Sequence, residues 1–165
     1  MAAKCIVLSG ATVPFKSLVE AIDGPLTDKL RSLGYSEVLV QYGHAESSFR
    51  PQPGVEGFAF KPNISEIVHE CDLVLTHAGS GSLLDSLERG FGQSKRKIIV
   101  VINSALMDNH QKELAYKLRD LGCVLVAEKP EELNESLDIC HNRHFNEFEP
   151  PKPLGPILQE VLTKP

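Results

Sequence analysis

The chain has 165 residues, enough for one compact domain with a hydrophobic core and a short tail. Its 42% hydrophobic and 24% charged residues exclude a chain that is disordered, collagen-like or coiled-coil throughout. The net charge of −5 argues against a broad nucleic-acid-binding surface, so an anionic ligand has to be held by local donors.

Neither a membrane span nor a secretion signal is predicted. The longest aliphatic run, residues 98–102, is far shorter than the roughly 20 residues that cross a bilayer. The apolar run at residues 5–8 is too short for the core of a signal peptide. Four cysteines without C-x-x-C spacing are typical of reduced thiols in a cytoplasmic protein: Cys5, Cys71, Cys123 and Cys140.

Short β-branched runs alternate with helical patterns along the chain. Strands are predicted at residues 5–8, 38–41, 58–60, 73–76, 98–102 and 124–126. Helices are predicted at residues 18–33, with an interruption at Gly24-Pro25, and at 64–68, 83–87, 114–121 and 133–137. The strands lack polar alternation, which predicts a Rossmann-like, doubly wound α/β fold with a mainly parallel sheet.

This pattern predicts a domain over residues 1–140 and a proline-rich tail over residues 141–165. Residues 41–57 are rich in Gly, Pro, Ser and Gln without periodicity, and are predicted to form a loop. In the tail, helical spacing of four apolar residues predicts a short C-terminal helix: Ile157, Leu158, Val161 and Leu162. That helix packs on its own domain or docks on a partner, and the sequence leaves both open.

Three turns after predicted strands carry glycine or polar residues, at residues 9–12, 76–82 and 103–111. Ligands of open α/β sheets bind at the carboxyl ends of the strands, where these turns meet. The second turn is the most informative, because Gly79, Ser80, Gly81 and Ser82 open a helix and suit a diphosphate. A tight strand-to-helix turn, with Ser82-x-x-Asp85 as a capping box, explains the same residues without a ligand.

His77, at the end of the fourth predicted strand, can donate a hydrogen bond to a phosphate or a sugar, or serve a structural role. In the third turn, Asn109, His110 and Gln111 carry amide and imidazole groups that match sugar hydroxyls. The spacing Asp108-x-x-Gln111 also fits a capping box.

A dinucleotide cofactor and a metal are both disfavoured. Leu84 takes the place of the third glycine of G-x-G-x-x-G, and the second strand ends at Gln41 without a carboxylate. No Asp-x-Asp occurs, and no second ligand pair completes a zinc site around Cys140. We therefore expect no cofactor and no metal.

The motifs at residues 77–85 and 108–115, His-Ala-Gly-Ser-Gly-Ser-x-x-Asp and Asp-x-x-Gln-x-x-x-Ala, resemble the donor-binding half of MurG-like inverting glycosyltransferases of family 28 (C-terminal-domain type). The chain is also similar to the small cytosolic donor-binding subunits of the dolichol-linked UDP-N-acetylglucosamine transferase. That likeness includes the first glycine turn, Ser-Leu-Gly-Tyr at residues 32–35, and residues 100–111. It covers most of residues 4–126.

The resemblance implies the donor domain of a GT-B enzyme, which transfers N-acetylglucosamine with inversion from UDP-N-acetylglucosamine to N-acetylglucosaminyl-diphosphodolichol. It implies that the turn at residues 79–82 binds the diphosphate. Asp85, where the family usually has glutamate, is implied to bind the ribose. Gln111, Asn109 and His110 are implied to contact the sugar.

The first turn is implied to contribute Gly10 and Thr12, although it reads Gly-Ala-Thr where the family tends to Gly-Thr-Thr. No residue is assigned as the general base.

A partner follows from the same resemblance, because a GT-B enzyme has two domains and this chain supplies one. We expect a cytoplasmic protein that a membrane-anchored, acceptor-binding subunit recruits peripherally to the cytosolic face of the endoplasmic reticulum. The dolichol-linked acceptor is reached through that partner, and no nucleic acid is involved. Two other classes stay open: a non-enzymatic nucleotide-sugar-binding regulatory module and a small dehydrogenase-like enzyme.

Overall fold

The computed structural model describes residues 2–88, 96–105 and 109–148. Six strands form one sheet: β1 (Ala3–Leu8), β2 (Tyr35–Gln41), β3 (Val55–Phe58), β4 (Leu73–His77), β5 (Lys97–Val101) and β6 (Leu125–Ala127). Their spatial order is β3-β2-β1-β4-β5-β6, and every neighbouring pair is parallel. This is the strand order of a doubly wound Rossmann fold, which confirms the predicted fold class.

Helices cover both faces of the sheet: α1 (Lys16–Glu20), α2 (Gly24–Ser32), α3 (Ile64–His69), α4 (Ser80–Leu87), α5 (Asn109–Asp120) and α6 (Leu133–Asn142). Alternate residues of β1 point to opposite faces, so Val7 packs with α1, α2 and α6 while Ile6 packs with α3, α4 and α5. Both side chains are fully buried. The continuous apolar strands predicted from the sequence therefore reflect a sheet with a core on each face.

The third strand differs from its prediction. It was predicted at residues 58–60 but runs over Val55–Phe58, inside the segment predicted to be a loop, and Phe60 beyond it is 50% exposed. A Cβ at Gly57 would lie 2.5 Å from the Phe49 ring, so the strand backbone at Gly57 packs directly against this ring. A strand that contains Glu56 and Gly57 lacks the apolar run on which the prediction relied.

The predicted interruption of the first helical stretch is confirmed. Helix α1 ends at Glu20, and α2 begins at Gly24 after Asp23, whose Oδ1 accepts the Leu26 N–H at 3.0 Å. Pro25 lies in the first turn of α2, where a helix has no acceptor for the N–H that proline lacks.

The predicted glycine cap of the α5 region is also confirmed. Gly122 has φ +75°, and its N–H donates to the Arg119 carbonyl at 2.8 Å. The next N–H, of Cys123, donates to the Leu118 carbonyl at 3.0 Å, as in a Schellman motif. The chain therefore leaves α5 in the direction that leads into β6.

All four cysteines are free and buried, as predicted. Burial raises the pKa of the Cys71 and Cys140 thiols to about 11, and it also raises the pKa of the Cys5 thiol well above its ordinary value. Because the thiolate is the reactive form, we expect a thiol reagent to label the native chain no faster than it unfolds. Four thiols should react at once in denaturant, and rapid labelling of the native chain would contradict this packing.

Residues 143–148 pack against the domain after α6. Phe145 contacts the core on the α1, α2 and α6 face, and Phe148 contacts the core on the opposite face. Between them, the Asn146 N–H donates to the Gly122 carbonyl at 2.9 Å, and its Nδ2 donates to Leu121. The domain boundary at residue 140 and the C-terminal helix stay predictions, because residues 149–165 lie outside the described chain. No helix within the described residues is long and apolar enough to cross a membrane.

Candidate functional site

A cavity of about 350 Å³ opens at the carboxyl ends of β1 and β4. The chain leaves β1 toward β2 on one side and returns to β4 on the other, so the cavity lies at the topological switch point of the sheet. Its lining comes from all three predicted turns: Ser9, Gly10, Ala11, Thr12, Val13, Phe15, His77, Ala78, Gly79, Ser80, Gly81, Ser82, Asn103 and Gln111.

Eight of the eleven residues predicted for the site line this cavity: Gly10, Thr12, His77, Gly79, Ser80, Gly81, Ser82 and Gln111. Asp85 lies in the second turn of α4, and His110 is exposed in the first turn of α5; neither side chain lines the cavity. Asn109 begins α5, and its side chain lies outside what the structure describes.

The first turn of α4 supplies free backbone donors to the cavity. The first hydrogen bond of this helix runs from the Leu83 N–H to the Gly79 carbonyl at 3.0 Å. The N–H groups of Ser80, Gly81 and Ser82 precede that bond and so have no acceptor within the helix. Together with the positive end of the helix dipole, these three donors form a binding site for an anion.

The capping-box interpretation of Ser82-x-x-Asp85 is wrong. Helix α4 begins earlier than that motif requires, with Gly79 as its N-cap and no capping side chain. Ser82 is therefore the third helical residue, and Asp85 is too far along the helix to reach a free N–H of the first turn. The second capping box, which begins at Asp108, lies outside the described residues.

The glycines of the cavity have two different roles. A Cβ at Gly79 would lie 2.2 Å from His77 Cε1, and a Cβ at Gly10 would lie 3.0 Å from the same atom. Both glycines therefore make room for the imidazole. At Gly81 nothing lies within 4 Å of the added Cβ, so this glycine faces open space in the cavity.

His77 connects the end of β4 to the mouth of α4. Its Nδ1 accepts the Gly79 N–H at 3.1 Å, and its Nε2 lies 3.2 Å from Ser82 Oγ. Burial lowers the pKa of His77 below its ordinary value of 6.5, so the ring is neutral at about pH 7. An imidazole whose Nδ1 accepts a hydrogen bond carries its proton on Nε2, which donates to Ser82.

Among the described residues, no charged side chain lines the cavity. Among the described lining residues, His77 is the only titratable one, and no lysine, arginine, aspartate or glutamate lines the cavity. A bound anion is therefore held by N–H groups, hydroxyls and the α4 dipole. The described residues also contain no group of three or more potential metal ligands among His, Cys, Asp and Glu.

The first turn is fixed to the end of β2. Ser9 donates to the Gln41 carbonyl through both its hydroxyl, at 2.7 Å, and its N–H, at 3.2 Å. Gly10 follows with φ +94°, a conformation that favours glycine. Because β2 ends in a buried amide, the acidic residue that a dinucleotide-binding domain places there is absent from this position.

Six lining residues were not predicted as site residues, and three of them, Ser9, Ala11 and Ala78, lie within the first two predicted turns. Asn103, the first residue of the third predicted turn, follows β5 and lines the cavity. A polar residue directly after a buried parallel strand was the available signal. Val13 and Phe15 also line the cavity, but apolar residues after a glycine turn cannot be distinguished from core by sequence pattern.

The fold and the site define a Rossmann-like α/β domain whose helix α4 presents free N–H groups to a cavity at the switch point of the sheet. The chain belongs to the glycosyltransferase family 28 C-terminal domain family, whose model matches residues 4–153. This finding confirms the resemblance described above and makes the chain a glycosyltransferase domain.

Similar proteins extend this finding. The UDP-N-acetylglucosamine transferase subunit ALG13 of Kluyveromyces lactis is 35% identical over 85% of this chain and 87% of its own length. A solution NMR structure of ALG13 has a TM-score of 0.65 and 27% identity, over 97% of this chain and 94% of that one. MurG of Acinetobacter baumannii has the same fold with a TM-score of 0.61 and 19% identity, over 86% of this chain but 42% of MurG.

Proposed function

We propose that this chain is the donor-binding subunit of an enzyme that transfers N-acetylglucosamine from UDP-N-acetylglucosamine to N-acetylglucosaminyl-diphosphodolichol, with inversion. The observation that carries the proposal is the helix mouth at residues 80–82, which offers three unpaired N–H groups to a switch-point cavity in a family 28 domain. The relatives named as UDP-N-acetylglucosamine transferase subunits support the choice of donor.

The helix mouth would hold the diphosphate and stabilise the charge that develops as UDP leaves. Ser80, Gly81 and Ser82 supply backbone N–H groups, and the two serines add hydroxyls. Because no cationic side chain lines the described cavity, these donors and the helix dipole would carry the stabilisation.

The sugar would lie toward the start of α5. Gln111 lines the cavity there, and its amide can donate to and accept from sugar hydroxyls. Asn109 and His110 open the same helix and are proposed as further contacts to the sugar. Gly10 and Thr12 form the opposite wall of the cavity.

The general base would come from the partner. Attack by the acceptor 4-hydroxyl requires removal of a proton. His77 is the one titratable group in the described lining, and both of its ring nitrogens bond within the protein. It is therefore unsuited to accept that proton.

A membrane-anchored partner would also bring the acceptor. Relatives of this chain are named as subunits of a transferase, which supports a second, acceptor-binding subunit. The acceptor carries a dolichol chain and is embedded in a bilayer. We propose that the partner recruits this chain to the cytosolic face of the endoplasmic reticulum, for the second step of lipid-linked oligosaccharide synthesis in N-glycosylation.

Asp85 is proposed to bind the ribose of the donor. Asp85→Asn should raise the KM for UDP-N-acetylglucosamine about tenfold, because a charge-assisted hydrogen bond to a ribose hydroxyl becomes a neutral one. The melting temperature should change little, since this side chain does not cap α4. Steady-state kinetics and thermal unfolding of the same preparation measure both quantities. A large loss of stability with an unchanged KM would assign Asp85 a purely structural role.

Product formation tests the proposal as a whole. Membranes from cells in which this chain is the sole copy should transfer labelled N-acetylglucosamine from the UDP donor to a lipid-diphosphate N-acetylglucosamine acceptor. The acceptor should gain one sugar, and depletion of the chain should abolish the transfer. Binding of the donor without any transfer would favour a regulatory nucleotide-sugar-binding module.

A further inference from the structure

We propose that His77 is a positioning residue whose neutral imidazole makes the Ser82 hydroxyl a hydrogen-bond donor to the ligand in the cavity. The inference rests on the proposed function, because the ligand that this hydroxyl would serve is the donor diphosphate. It gives His77 an indirect role, in place of the direct contact to a phosphate or sugar predicted from the sequence.

The directions of the hydrogen bonds around the imidazole determine which ring nitrogen carries the proton. The Gly79 N–H can only donate, so Nδ1, at 3.1 Å, has to accept and stays unprotonated. The ring proton is therefore on Nε2, which donates to Ser82 Oγ at 3.2 Å. No other hydrogen bond of Ser82 Oγ occurs among the described residues, so its own hydrogen is available to the cavity that Ser82 lines.

Packing fixes the ring in this orientation. The imidazole occupies the space where a Cβ at Gly10 or at Gly79 would lie, so it separates the first turn from the helix mouth. A flipped ring would lose the hydrogen bond from the Gly79 N–H to Nδ1 and the contact of Nε2 with Ser82 Oγ. The orientation of the ring, and with it the direction of the Ser82 hydroxyl, is therefore set by the backbone of both walls.

The hydrogen bonds around His77 depend on the charge of its ring. A proton on Nδ1 would face the Gly79 N–H and remove the acceptor of that bond. Burial opposes this protonation, and the described residues that line the cavity include no carboxylate to favour it. The other lining groups near the ring, Ser9, Thr12, Asn103 and Gln111, do not titrate in the physiological range. The chain of donors from Gly79 through His77 to Ser82 is thus intact only while the ring is neutral.

Paired substitutions test the inference in the transfer assay, with membranes in which each variant is the sole copy. His77→Asn retains an acceptor close to the Gly79 N–H but is too short to reach Ser82, and Ser82→Ala removes the hydroxyl. We expect each to raise the KM for UDP-N-acetylglucosamine about tenfold, and the double variant to raise it no further. His77→Gln, whose amide can reach Ser82, should recover part of the loss.

A pH profile separates positioning from a structural role. The wild-type KM should rise once the pH falls below 6.5, the ordinary pKa of a histidine, because burial lowers the pKa of His77 and its protonation disrupts the chain of donors. The KM of His77→Gln should stay flat over the same range. The inference would be overturned if the double variant raised the KM by the product of the two single effects, or if His77→Asn left the KM unchanged. Neither result would contradict donor binding in the cavity. If the wild-type membranes show no transfer, the proposed function fails and this inference fails with it.

Discussion

Replacement of Gly81 by valine is expected to abolish donor binding while the fold stays intact. An added Cβ at this position meets nothing within 4 Å, so the helix accommodates the side chain, which projects into open space at the cavity. There it would occupy the position of the diphosphate beside the free N–H groups of α4. We expect the affinity for UDP-N-acetylglucosamine to fall at least about a hundredfold, which is about 2.7 kcal/mol. Titration calorimetry of the folded variant measures this loss.

Two further variants control the valine experiment. Gly81→Ala adds one methyl group in the same open space and should cause a smaller loss of affinity. Leu84→Val introduces valine in the same helix at an exposed position that does not line the cavity, and it should bind the donor normally. A folded Gly81→Val chain with wild-type affinity would show that the diphosphate does not bind at the helix mouth.

The second large effect concerns the partner. The chain alone should show no transfer to a lipid-diphosphate N-acetylglucosamine acceptor, even with saturating donor. The described cavity offers donors for a diphosphate, but its lining includes no carboxylate that could act as a base. Addition of solubilised membranes that contain the partner should restore turnover. Robust turnover by the purified chain would contradict the two-subunit proposal.

Truncation after residue 149 extends that experiment to the tail. Full activity and membrane recruitment of the truncated chain would show that the predicted helix with Ile157, Leu158, Val161 and Leu162 has no docking role. Loss of recruitment with an unchanged melting temperature would place this helix on the partner. A lower melting temperature would instead indicate that the predicted helix packs on its own domain. Phe145 and Phe148, earlier in the tail, already pack against the two cores.

Most of the fold was predictable because its strands are buried on both faces. Residues 98–102 form a short, β-branched apolar run, and such a run favours an interior parallel strand between two layers of helices. The edge strand β3 was harder, because its burial comes partly from backbone at Gly57 that packs under Phe49. Patterns of apolar side chains contain no trace of that contact.

The site was predictable in its location and less so in its internal contacts. Turns after parallel strands meet at one edge, which was enough to bring the turns with Gly10, His77 and Gln111 to one cavity. The sequence could not show that Gly79 makes room for an imidazole while Gly81 faces open space. That distinction depends on the rotamer of His77, whose ring packs against Gly10, far away in sequence, as well as against Gly79.

Backbone NMR during a titration with UDP-N-acetylglucosamine tests the central claim most directly, because it observes the proposed donors themselves and detects weak binding. The account predicts that the amide resonances of Ser80, Gly81 and Ser82 shift most and saturate together, with smaller changes in the turn that contains Gly10. Saturable binding that leaves these three amides unmoved, and instead shifts residues elsewhere such as the groove between Glu20 and Asn134, would contradict it.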